Sequence, residues 1–152
     1  MTPDRRGPLS WIEIVRLGLV QTALGAIVVL TTSTLNRVMV VELALPAMLP
    51  GALVGLHYVI QLSRPAWGHG ADAGGARTPW IIGGMAVLAI GGVLAALATA
   101  VAATATWPGV ALAVLAFILI GAGVGASGTS LLALLATDVA PERRAPAASI
   151  TW

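Results

Sequence analysis

Few residues in this chain could do chemistry, and they fall in five places. His57 lies near the middle of an apolar run, where an ionisable side chain is costly and marks a functional site by default. Gln21, in the preceding run, is the nearest polar candidate to meet it. The stretch "RPAWGHGADAGGARTPW", Arg64 to Trp80, places His69, Asp72 and Arg77 in a glycine-rich polar connection. Arg37 and Glu42 stand five apart between two apolar runs, close enough to pair across a short turn. Asp138, Glu142, Arg143 and Arg144 close the last long run with both signs of charge. His57 and His69 are twelve apart, with no metal-ligand spacing, and cysteine is absent. No nucleophile–base pair, metal cluster or phosphate loop stands out, so the expectation is a protein without enzymatic activity. The glycine row of Gly121, Gly123, Gly125 and Gly128 sits inside an apolar run with no preceding strand, which excludes a phosphate-binding reading.

Elements that carry these residues must live in lipid. Only 9% of the 152 residues are charged and 58% are hydrophobic, and the mean hydropathy is +0.95. A soluble domain carries roughly 25% charged residues. Eighteen glycines suit helices that approach closely in a bilayer. All eight basic residues are arginine, scattered singly or in pairs. That scatter reads as topology signal rather than a nucleic-acid face.

Four apolar runs approach the roughly 20 residues a spanning helix needs: Leu17 to Leu35, Leu43 to Leu62, Trp80 to Ala103 and Pro108 to Thr137. The fold expected is an all-α integral membrane protein with four transmembrane helices. The fourth run, of about 30 residues, should tilt or project beyond the bilayer. Residues 1–16 read as a cytoplasmic amphipathic lead-in, with Ser10 and Glu13 in capping-box spacing; a simple continuation of helix one is the alternative. Residues 17–152 then hold helices one to four and the start of a fifth, which suggests a fragment of a larger membrane domain. With the N-terminus inside, seven arginines are cytoplasmic and only Arg37 is outside, a strong positive-inside asymmetry. The polar stretch becomes a cytoplasmic turn between helices two and three.

That turn contains Gly68, Asp72, Gly75 and Arg77 in the pattern Gly-x-x-x-Asp-x-x-Gly-x-Arg. It resembles the cytoplasmic motif of the major facilitator superfamily, in the place where that family has it. The resemblance implies a twelve-helix fold, of which this is the N-terminal part, and a latch used in gating. It also implies that Asp138, Glu142 and Arg143 join the latch in one cytoplasmic charge network; a solvated helix end is the plainer reading. Ala73 and Ala76 stand where the superfamily usually has basic residues, which implies a weaker latch. Its proton-coupled transporters commonly carry an arginine in helix four, roughly where Phe117 stands here.

Within the superfamily, "RLGLVQTALG", "STLNRVMVVELALPAMLPGALVGL", "GHGADAGGARTPWIIGGM" and "LLATDVAPERRAPAASITW" resemble the bacteriochlorophyll-delivery branch, the PucC/LhaA-type proteins of phototrophic bacteria. This resemblance implies an assembly factor for light-harvesting antenna complexes in the inner, intracytoplasmic photosynthetic membrane. The implied partners are the lipid bilayer, antenna polypeptides and the reaction-centre core complex, with bacteriochlorophyll as the implied cofactor. On that reading His57 is a candidate ligand of the pigment's magnesium; a hydrogen bond to a neighbouring helix is the alternative. The pair Arg37 and Glu42 shapes the outer loop or contacts a partner. A facilitator-type transporter of a small molecule or tetrapyrrole, and a small structural subunit of a photosynthetic supercomplex, are the competing functions.

Overall fold

The computed structural model describes residues 8–74 and 76–151. Arg5, Arg6 and Gly75 therefore lie outside the described residues.

Ser10 starts the first helix. Its hydroxyl accepts from the Glu13 backbone N–H, and the Glu13 carboxylate accepts from the Ser10 backbone N–H at 2.8 Å, a reciprocal capping box. From Trp11 the helix runs unbroken to Glu42 as α1, 32 residues long, with no boundary at Arg16. Two π-helical turns lie within it, at Leu30–Thr34 and Val38–Glu42. The first begins where the hydroxyls of Thr31 and Thr32 donate back to the carbonyls of Ile27 (2.8 Å) and Val28 (2.7 Å), competing with the backbone ladder. Beyond Glu42 the chain reverses through Ala44, whose φ of 51° is in the left-handed region that glycine usually fills.

That reversal consumes the residues expected to open the second span. α2 is Met48–Gln61, only 14 residues, or about 21 Å at 1.5 Å per residue, against about 30 Å of hydrocarbon. Four spans were expected; among the described residues three helices are long and apolar enough to cross a membrane. The physical cause is the extension of α1 to Glu42, followed by Pro46 within the reversal. Most of the polar stretch read as a turn is helical. After a corner at Leu62 and Ser63, α3 runs from Arg64 to Ala73 with Pro65 in its first turn, where a missing N–H costs nothing. α4 is Thr78–Ala102 and α5 is Thr106–Asp138, 33 residues. A 3-10 turn at Pro141–Arg143 leads into α6, Arg144–Thr151.

Small residues bring α4 and α5 together antiparallel. A Cβ added at Gly123 would lie 2.6 Å from the Leu88 amide and 2.7 Å from the Gly84 carbonyl, so backbone touches backbone. Gly91 faces Ala116 and Ile120, and Gly109 faces Ala102. The glycine row of α5 serves other neighbours as well: Gly121 abuts α2 at His57 and Ile60, and Gly125 abuts Trp67 of α3. Leu24, Leu53, Leu88, Phe117 and Ile120 fill the main core. A smaller cluster of Ile14, Val139 and Ala147 holds α6 against α1. Leu19 and Ile82, 66% and 65% exposed, point outward, as residues facing acyl chains do.

Candidate functional site: the arginine-braced end of the bundle

The last turn of α3, the start of α4 and the last turn of α5 meet at one end of the bundle. Asp72 comes from α3 and Arg77 from the residue that caps α4. The Arg77 Nε and Nη2 both donate to Asp72 Oδ1, at 3.2 and 2.9 Å. Its Nη1 donates across to α5, to the Ala133 carbonyl at 3.1 Å and to Thr137 Oγ1 at 2.6 Å. The Thr137 hydroxyl in turn donates to Asp138 Oδ1 at 2.6 Å. One guanidinium therefore connects three helices. The ion pair contributes little by itself, since Asp72 is 59% exposed and such pairs stabilise by about 0–1 kcal/mol. Close packing supports the brace from beneath. Gly68 passes Thr129 of α5, and Gly70 lies under Trp80, whose ring meets Trp67 edge-on at 6.0 Å.

The cluster around Asp138 divides. Asp138 joins Arg77 through Thr137, but Arg143 turns towards the N-terminus, donating to the Leu9 carbonyl at 3.2 Å and lying 5.8 Å over the Trp11 ring. The Leu9 N–H donates to the Asp138 carbonyl at 2.9 Å, and Arg144 Nε donates to the Val139 carbonyl at 3.3 Å. Glu142 is exposed and forms no hydrogen bond or ion pair among the described residues. Sequence reasoning missed Thr137, the Ala133 carbonyl, Leu9 and Trp11. Thr137 stands beside a residue it had picked, but nothing local marks which way its hydroxyl turns.

At the other end, Arg37 and Glu42 are exposed and do not pair within 4.0 Å. The helix continues through both, so the chain reversal that would have brought them together comes only after Glu42.

His57 is 1% exposed. Its Nε2 is 2.7 Å from the Gln61 side-chain nitrogen, its Nδ1 is buried without a partner, and Gln21 makes no bond to it. A bacteriochlorophyll ligated here would need a free imidazole lone pair and a flat apolar space in front of it. Neither is present. Gln61 occupies Nε2, and the backbone of α5 at Gly121 closes on the His57 turn, a Cβ there falling 2.7 Å from the His57 carbonyl. The residues around His57 do not fit the pigment. Two of the apolar hollows among the described residues lie elsewhere. One, of about 490 Å³, lies between α1 and α4 beside the first π turn, with Thr31, Thr34 and Gly92 in its wall. The other, of about 320 Å³, has Trp67, Trp80 and Gly83 in its wall. His57 lines neither. Among the described residues no three of His, Asp and Glu gather to hold a metal ion.

Among the described residues, three long apolar helices, with small residues at their contacts and large apolar side chains outside, are those of a multi-pass α-helical membrane protein. Comparison with known proteins places it more closely. The PUCC protein family matches residues 34–152, and the chain belongs to that family. It is 63% identical over 144 residues to the "Bacteriochlorophyll synthase 44.5 kDa chain" of Rhodobacter capsulatus, covering 95% of this chain and 34% of that protein. It is 36% identical to "Protein PucC" of Cereibacter sphaeroides, over 88% of this chain and 32% of that one. "Protein PucC" of Rhodobacter capsulatus is 38% identical, over 91% of this chain and 32% of that one. The chain thus spans about a third of the length of these relatives. No solved structure matches it.

Proposed function

We propose that the chain is the N-terminal part of a non-enzymatic assembly factor for bacterial light-harvesting antenna complexes. It binds antenna polypeptides through lipid-facing helix surfaces, meets the reaction-centre core complex in the same membrane, and helps deliver bacteriochlorophyll. The observation that carries this reading is the family match over residues 34–152. The outward apolar side chains of α1 and α4, such as Leu19 and Ile82, suit contacts with other membrane helices. The name of one relative mentions a synthase; the proposal departs from that word, because the polar groups of this chain brace helices against one another. It places the protein in the inner, intracytoplasmic membrane with its N-terminus in the cytoplasm. Arg16, Arg77, Arg143 and Arg144 sit towards the end where Leu9 meets Asp138, and Arg37 sits towards the other, the asymmetry of cytoplasmic loops.

One observation favours a second reading, a facilitator-type transporter. Arg77 crosses from the α3–α4 corner to the end of α5, as a latch between moving helices of a major-facilitator fold would. Purification of the full-length protein from phototrophic membranes in mild detergent separates the two. Antenna polypeptides and bacteriochlorophyll on the purified chain are the expected result. A colourless protein without partners, which moves a solute in vesicles, would replace assembly with transport.

A further inference from the structure

His57, Gln61 and Arg64 follow one another at four- and three-residue steps across the corner between α2 and α3. Arg64 donates to the side-chain oxygen of Gln61, and arginine can only donate. That contact fixes the Gln61 amide, so its nitrogen is the atom facing His57 Nε2 at 2.7 Å. The amide nitrogen also only donates, so Nε2 accepts and the imidazole is neutral, with its proton on Nδ1. Both nitrogens are thereby lost to a metal: one lone pair is engaged and the other nitrogen carries hydrogen. A second bridge crosses the same corner, as Ser63 Oγ donates to the Ile60 carbonyl at 2.5 Å and accepts from Trp67 Nε1 at 2.7 Å. Both bridges lie where the helices meet the glycine row of α5, Gly121 against His57 and Ile60, Gly125 against Trp67.

We infer that His57 heads a polar column, His57–Gln61–Arg64, that braces the α2–α3 corner and sets its register on the glycine row of α5, and that His57 is not a bacteriochlorophyll ligand. The column does not depend on the proposed function: it stands whether or not the protein handles pigment. If pigment is held, its magnesium takes a ligand other than His57.

The test uses the full-length protein in detergent, with bacteriochlorophyll a added, and the variants His57→Leu, Gln61→Leu and the double variant. Melting temperature and bound pigment, read from the absorption spectrum, are measured on each. Each single variant should melt several degrees lower, and the double variant no lower than the worse single one, since both remove one unit. Pigment content and band position should match the wild type. Loss of pigment or a shifted band in His57→Leu, with both retained in Gln61→Leu, would overturn the inference in favour of ligation. Unchanged melting in both would overturn the column. Should His57→Leu fail to fold, Gln61→Leu decides alone. Freeing Nε2 raises pigment content if His57 is a ligand, and lowers only the melting temperature if it is not. A wild type carrying neither pigment nor antenna polypeptides would remove the proposed function and leave the column in place.

Discussion

Arg77 does its work through shape as much as charge. Its planar fork reaches Asp72 on one side and two oxygens of α5 on the other, which a single ammonium cannot match. Arg77→Lys should therefore lower stability by about 1 kcal/mol, in the range of a net hydrogen bond lost, read as a lower melting temperature in detergent. Asp72→Asn, at an exposed carboxylate, should change it by less than about 0.5 kcal/mol. Ala44 offers a gain in stability. Its φ of 51° is strained for alanine, so Ala44→Gly should raise stability by about 0.5–1 kcal/mol, after the entropy of the freer unfolded chain is subtracted. At this scale the sequence singled out Asp72 and Arg77, because charged residues are so sparse along the chain. It did not disclose their partners. Thr137 reaches Arg77 only because α5 packs where it does, and Arg143 joined Trp11 across 132 positions of chain (143 − 11).

The helices divide along a similar line. α4 and α5 were legible as long spans because their composition is uniform and nothing interrupts them. The second expected span is shorter as a helix than its apolar run, because hydropathy counts apolar residues without asking which helix owns them. Leu43 and Leu45 are apolar, yet they cap α1, with Leu43 N–H bonding to the Val38 carbonyl and Leu45 N–H to that of Met39. Glycines stand on faces of opposite meaning, and only packing sorts them. Gly123→Ala would drive a methyl into the α4 backbone, 2.6 Å from the Leu88 amide, and should cost about 1–3 kcal/mol. Gly25→Ala and Gly55→Ala meet nothing within 4 Å and should be neutral or slightly stabilising, since alanine is the better helix former by about 1 kcal/mol. Unfolding in a denaturing detergent, compared across the three variants, checks the contrast.

For the whole molecule, the arrangement of ends is open to a direct check because the chain lacks cysteine. Glu142→Cys, at an exposed side chain without a partner among the described residues, and Ala103→Cys, exposed at the far end of α4, should label from opposite sides of the membrane. An impermeant maleimide applied to intact cells is expected to reach Ala103→Cys and to reach Glu142→Cys only after permeabilisation. The reverse pattern would invert the proposed topology. The same closed end carries a consequence for how the protein is made. Leu9 bonds to Asp138, and Arg143 bonds back to Leu9 over 134 positions, so Leu9 waits for partners made much later in synthesis. α1, α2, α3 and α4 all pack on α5, which follows them in the chain. Until it enters the bilayer, the earlier helices lack their shared neighbour, and the order of translation runs opposite to the order of consolidation. Nascent chains stalled before Thr106 should be cleared rapidly by membrane proteases, and those stalled well beyond Thr151 should persist.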